Sequence, residues 1–123
     1  MKIILAIGTG SFIGGAGRYI LSQIIQQKYI SAFPWATFCV NIIGCLLIGI
    51  VFGISERGNI NSEWRLFLAT GVLGGFTTFS AFSNETFGLI RTGYYGYAVI
   101  YILASVLVGL LATWMGYALL KLG

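Results

Sequence analysis

Four long apolar stretches run through this chain of 123 residues and leave little room for anything else. They cover about residues 3–25, 35–54, 64–90 and 97–120, and each has at least the roughly 20 residues that a helix needs to cross a bilayer. Charged residues make up 8% of the chain, against about 25% in soluble globular proteins. The sequence therefore predicts an all-α integral membrane protein with four transmembrane helices, in which residues 1–123 form a single domain.

The few polar groups exclude several functional classes. Seven Lys and Arg residues are scattered along the chain against three Glu, so no basic patch for nucleic acid forms. The absence of His removes the commonest proton relay and metal ligand. Cys39 and Cys45 are six residues apart in one apolar stretch, and about 9 Å of helix rise between them is too far for a disulfide. We expect apolar packing from both cysteines, no nucleic-acid partner and no enzymatic activity.

The charges also bear on orientation in the membrane. If both termini and the central loop share one side, that side carries four cations and the other carries two, or three with Arg18. Such a weak bias indicates that the chain inserts in both directions and can pair with an inverted copy of itself. The four cations are Lys2, Arg57, Arg65 and Lys121, and the opposite pair is Lys28 and Arg91.

Small residues recur four positions apart in these stretches, the spacing that lets membrane helices approach closely. The pattern predicts a compact bundle, and Asn61 or Ser62 is the expected N-cap of the third helix. The pairs are Gly10 and Gly14, Ser11 and Gly15, Gly49 and Gly53, and Ser105 and Gly109.

The third stretch carries an unusual sequence near its centre. Gly74 and Gly75 are followed closely by Thr77 and Thr78, and all four are poor helix formers. We therefore expect the helix to be broken near the bilayer midplane, where freed backbone groups are tolerated only when buried or lining a cavity or ion site. The alternative is a kink, with hydroxyls bonded back to the preceding turn.

Polar side chains on three stretches are predicted to face a common interior. Glu85 is the only acid well inside a span, which makes it a functional candidate. Thr37 and Asn41 share a face of the second helix, and Tyr101 and Ser105 share one of the fourth.

Two aromatic residues, Phe79 and Phe82, share a helix face just after the expected break. Aromatic rings have a positive edge, and hydroxyl and amide groups donate hydrogen bonds, so together these groups suit a small anion that must lose its water. The alternative is that both rings are ordinary packing or lipid-facing aromatics.

These residues resemble the Fluc (CrcB) family of bacterial fluoride channels over nearly the whole chain. The resemblance lies in the strings GGAGRY from Gly14, NIIG from Asn41 and GGFTTFSAFSNE from Gly74. It implies a passive, fluoride-selective channel in the bacterial inner membrane that exports cytoplasmic fluoride and confers fluoride resistance. It also implies an antiparallel, dual-topology homodimer with two pores and a structural sodium ion at its centre.

The resemblance also implies roles for individual residues. Phe79 and Phe82 match the rings along the fluoride path, and Arg18 matches an arginine near a pore vestibule. The backbone carbonyls of Gly74 and Thr77 match the sodium ligands. The other positions assigned to the fluoride path are Asn41, Ser80, Glu85, Tyr101 and Ser105, to which the polar pattern adds Thr37.

One position departs from the family, which usually has Thr where this chain has Ala81. The missing hydroxyl leaves a gap in the polar track, so a reduced transport rate is expected. Two other functions compete with the channel. A small multidrug exporter is similar in size but needs a Glu in the first helix, where this chain has none. A non-transporting assembly subunit would leave the predicted helix break unexplained.

Overall fold

The computed structural model describes residues 1–122, and side chains are described for residues 1–120. Four helices in this part are long and apolar enough to cross a membrane, and no strand occurs among the described residues. The predictions of an all-helical chain and of four transmembrane helices are thereby confirmed. The side chain of Lys121, counted above for orientation, lies outside the described residues.

Three of the four spans are single α-helices. Helix α1 comprises Lys2–Lys28, and helix α2 comprises Trp35–Glu56 after Pro34 at its N-cap. The last helix of the chain, Tyr95–Leu122, follows a turn in which Gly93 has a φ of 88°. The third span, Ser62–Arg91, lies between α2 and that last helix and is assembled from several shorter segments.

The third span begins as helix α3, Ser62–Arg65, continues as a π-helix over Leu66–Leu73, and then forms helix α4, Gly74–Phe76. Thr77 (φ −87°, ψ 158°) and Thr78 (φ −150°, ψ 120°) follow with extended backbone. Helix α5, Phe79–Arg91, completes the span, and the last helix, Tyr95–Leu122, is α6. Asn61 rather than Ser62 is the N-cap of α3, since its Oδ1 accepts a hydrogen bond from the Trp64 N–H at 2.9 Å.

Glycines allow the helices to pack in two close pairs. Helix α1 lies against the π-helix, where a Cβ on Gly14 would come within 1.9 Å of the Val72 carbonyl oxygen. Helix α2 lies against α6 in the same way, because a Cβ on Gly49 would meet the Thr113 carbonyl oxygen at 2.1 Å. Backbone therefore packs on backbone in both pairs, as the small-residue spacing predicts.

Helix α5 is held at one end of α2 and α6 by a small buried cluster. Phe33, Leu89, Ala98 and Tyr101 form its centre, and Phe82 packs against it. Most other large apolar side chains are exposed, including those along α6, as expected where lipid replaces water. The cluster fixes the face of α5 that carries Phe82 and Glu85.

Candidate functional site

The extended residues Thr77 and Thr78 are held by a side chain from another helix. The Thr78 N–H donates to Asn41 Oδ1 at 2.9 Å, and Asn41 Nδ2 donates to the Thr78 carbonyl at 3.1 Å. One carboxamide thus satisfies both backbone groups of a residue that has left the helix. Asn41, predicted to lie beside an ion path, has both of its side-chain polar atoms engaged with this backbone.

The first turn of α5 is capped locally. Thr78 Oγ1 accepts from the Ala81 N–H at 3.1 Å and lies 3.2 Å from Ser80 Oγ. A threonine in this position satisfies one of the free N–H groups that every helix start exposes. Phe79 and Ser80 are the first two residues of α5 and directly follow the extended residues.

The carbonyl of Thr77, one of the two extended residues, has no hydrogen-bond donor within the described part of the chain. No group of three His, Cys, Asp or Glu side chains that could hold a metal occurs among the described residues. Backbone carbonyls are therefore the oxygen ligands available here, and they suit a hard cation such as an alkali or alkaline-earth ion.

Arg18 reaches the same region from α1. Its Nε–H donates to the Gly75 carbonyl at 3.2 Å, across 57 positions of sequence. Arg18 and Asn41 therefore contact the third span on either side of Thr77, one from α1 and the other from α2.

Three aromatic rings continue the site along α5. The centroids of Phe79 and Phe82 are 5.6 Å apart, and those of Phe82 and Tyr101 are 4.9 Å apart, with tilted planes in both pairs. Phe79 is 79% exposed in the single chain, whereas Phe82 is half-buried and Tyr101 fully buried. The predicted aromatic pair is thus brought together, with Tyr101 as a third member.

The polar groups beyond the rings include the acid inside the third span. Thr37 Oγ1 donates to Glu85 Oε1, a contact that joins two of the polar residues expected to face a common interior. The Tyr101 hydroxyl lies near both residues, yet it is buried and makes no hydrogen bond to the described part of the chain. Ser105 lies one turn further along α6, half-buried, and also makes no hydrogen bond there.

Two grooves lie at the ends of this arrangement. The first, of about 330 Å³, is lined by the residues around the extended backbone, including Asn41, Gly74, Thr77 and Phe79. The second, of about 280 Å³, is lined by Glu85 together with Pro34, Thr92 and Tyr94. Phe79 thus lines the first groove and Glu85, six residues later on α5, lines the second.

Two residues with central contacts were not among the predicted site residues. Thr78 provides the backbone groups that Asn41 holds, and Gly75 provides the carbonyl that Arg18 holds. Both lie beside predicted residues in the sequence. The sequence does not reveal either pairing, because Thr78 is 37 residues from Asn41 and Gly75 is 57 residues from Arg18.

Comparison with known proteins decides the family. The family model described as "CrcB-like protein, Camphor Resistance (CrcB)" matches residues 5–117. The chain belongs to the CrcB family. Relatives of this CrcB chain in several bacteria carry the name "Fluoride-specific ion channel FluC".

These relatives match the CrcB chain over nearly its whole length. The protein of Methylobacillus flagellatus is 45% identical, over 99% of this chain and 97% of its own. The protein of Phocaeicola vulgatus is 44% identical, over 94% and 96% respectively. The protein of one Thermus thermophilus strain is 42% identical, over 97% and 95%. All three are named as channels rather than as enzymes.

Proposed function

We propose that this CrcB-family protein is a passive, fluoride-selective channel that exports cytoplasmic fluoride across the bacterial inner membrane and so confers fluoride resistance. The observation that carries the proposal is the line of neutral donors and aromatic rings along α5, from the extended residues Thr77 and Thr78 to Glu85. The names of its relatives identify the ion.

The donors suit a small anion that must lose its water. The hydroxyls of Tyr101 and Ser105 make no hydrogen bond to the described residues, so they are available to donate to an ion. Phe79 and Phe82 present edges that carry partial positive charge. Short neutral donors replace hydration at close range, whereas a wide anion pore would more commonly use rings of Arg or Lys.

The extended residues in the third span leave backbone groups with partial positive and partial negative charge at the site. The N-terminus of α5 presents the positive end of its helix dipole, and Phe79, the first residue of α5, lines the first groove. The carbonyls of Gly74 and Thr77 present partial negative charge before the start of α5. The Thr77 carbonyl has no donor in the described residues, which fits the structural sodium ion that the family resemblance implies. Bound sodium would supply a fixed positive charge near the path.

Exposure of this backbone supports a homodimer. Thr77 and Thr78 lie near the centre of the span Ser62–Arg91, yet they are only half-buried in the single chain. Gly74 and Phe79 on either side of them are exposed. Non-helical backbone near the bilayer midplane is tolerated only when protein covers it or when it lines a cavity. We assign this cover to a second copy, and the weak charge bias favours an inverted copy in an antiparallel, dual-topology dimer.

Passive transport suffices for export. A membrane potential that is negative inside drives an anion outward with about 2.3 kcal/mol per 100 mV. The contribution of the protein is then selectivity, which comes from dehydration at fixed donors. The Thr37 hydroxyl donates a hydrogen bond to the Glu85 carboxyl, so this carboxyl is held in place and is not free to move into the path.

Fluoride efflux from liposomes tests the proposal. The purified protein is reconstituted into vesicles loaded with potassium fluoride, and valinomycin supplies the compensating potassium leak. A fluoride electrode should record rapid efflux, and matched vesicles loaded with potassium chloride should retain their chloride. Equal chloride efflux would remove the selectivity, and absence of fluoride efflux from the protein-containing vesicles would reject the channel.

A further inference from the structure

One face of α1 follows the carbonyl groups of the third span. Gly10, Gly14 and Arg18 lie on this face because they are four residues apart. A Cβ on Gly10 would come within 2.7 Å of the Phe67 carbonyl oxygen, and one on Gly14 within 1.9 Å of the Val72 carbonyl oxygen. Arg18 is the next residue along this face, and it donates from Nε to the Gly75 carbonyl at 3.2 Å.

The Nε–H is the only group of Arg18 that is engaged in the described part of the chain. No carboxylate pairs with its guanidinium there, since the single ion pair among the described residues joins Lys2 and Glu63. Arg18 nevertheless lies inside a span, half-buried and ten residues before the end of α1. An arginine at such a depth is costly, so its side chain is expected to make a specific contact.

Among the side chains of the described residues, Arg18 is the one that donates to the Gly75 carbonyl. Gly75 is also pressed against α1, because a Cβ there would come within 2.5 Å of the Ser11 carbonyl oxygen. Three residues later, Asn41 holds both backbone groups of Thr78. The backbone of residues 76 and 77 therefore lies between two anchored positions.

We infer that Arg18 is a positioning residue, which sets the place of the interrupted backbone by holding the Gly75 carbonyl through Nε–H. What the site requires from Arg18 is a donor at the Nε position, not its positive charge. The consequence for fluoride conduction rests on the proposed function, whereas the anchoring itself does not.

Two substitutions separate the donor from the charge. In Arg18→Gln the side-chain N–H₂ is as many bonds from Cα as Nε is in arginine, so the donor is kept and the charge is lost. In Arg18→Lys the charge is kept, but the donor lies one bond further out. Arg18→Met removes both, and Arg91→Gln removes a charge from the exposed end of α5 as a control.

Hydrogen–deuterium exchange of a peptide that spans residues 73–84 reports the anchoring without any reference to transport. In reconstituted protein, we expect Arg18→Gln and Arg91→Gln to exchange like the native chain. Arg18→Lys and Arg18→Met should exchange about tenfold faster, as expected when roughly one hydrogen bond is lost. Fluoride efflux from the same vesicles should be slower for Arg18→Lys and Arg18→Met than for Arg91→Gln, the control outside the site.

Each result decides the inference. If Arg18→Lys matches the native exchange, or if Arg18→Gln exchanges as fast as Arg18→Met or fails to fold, the charge rather than the donor matters and the inference is wrong. A native protein that passes no fluoride would reject the proposed function, and the order of exchange rates among the variants would still decide the role of Arg18.

Discussion

The contact between α1 and the π-helix gives a sharp test of backbone packing. Gly14 lies against the third span so closely that a Cβ would be 1.9 Å from the Val72 carbonyl oxygen and 2.9 Å from the Phe76 backbone nitrogen. Gly8 is on the same helix, and a Cβ there would meet nothing within 4 Å. The substitutions Gly14→Ala and Gly8→Ala therefore add the same methyl group to one helix in two different surroundings.

The expected cost follows from the overlap. An ordinary contact begins near 3.4 Å, so α1 and the third span would have to separate by about 1.5 Å at Gly14. Overpacking in a well-packed region costs about 1–3 kcal/mol, and we expect the upper end because both contacting groups are backbone and cannot change rotamer. About 3 kcal/mol lowers the folding equilibrium constant roughly a hundredfold. Gly8→Ala should be neutral or slightly stabilising, since alanine favours a helix over glycine.

Equilibrium unfolding by SDS in mixed micelles, followed by tryptophan fluorescence, measures this difference in free energy. Gel filtration after heating provides a second measure for the same two variants. A Gly14→Ala protein as stable as the native chain would refute the packing argument. A Gly8→Ala protein destabilised to the same degree would refute it too, because the loss would then not depend on the contact.

Three further predictions concern the proposed fluoride path and the proposed dimer. Phe82→Ile should slow fluoride efflux sharply while gel filtration still shows a dimer. Phe87→Ile, on the exposed side of α5, should leave efflux near the native rate. Equal efflux rates for the two variants would remove the Phe82 ring from the path. Ala81→Thr should raise the efflux rate if the hydroxyl belongs to the polar track, and an unchanged or lower rate would count against that placement. A single cysteine at Lys28, with Cys39 and Cys45 replaced by alanine, should react with impermeant reagents on both membrane faces, and labelling on one face alone would contradict dual insertion.

Local signals allowed parts of the fold to be predicted from the sequence. The four spans follow from apolar length, and the cap at Asn61 follows from a residue type that favours helix starts. A common interior for Thr37 and Glu85 was also predictable, because few polar groups occur within the spans, but the sequence did not pair these two residues.

Contacts that depend on the packing of whole helices were not predictable. The π-helix over Leu66–Leu73 consists mostly of apolar residues common in α-helices, so its hydrogen-bond pattern cannot be read from local propensity. The partners of Asn41 and Arg18 depend on how α1 and α2 pack around the third span. Their residue types indicated polar roles but did not indicate which carbonyl each would hold.

The π-helix has a consequence for which changes in chain length the protein can accept. A π-helix carries more residues in each turn than an α-helix, so the eight residues of Leu66–Leu73 set where Gly75 faces. Deletion of one of them would rotate Gly75 away from Ser11 and Arg18 on α1. The loop of Gly58 and Asn59, in contrast, can gain or lose residues without moving this contact. Insertions and deletions among relatives should therefore collect in that loop and be absent between Arg65 and Gly75.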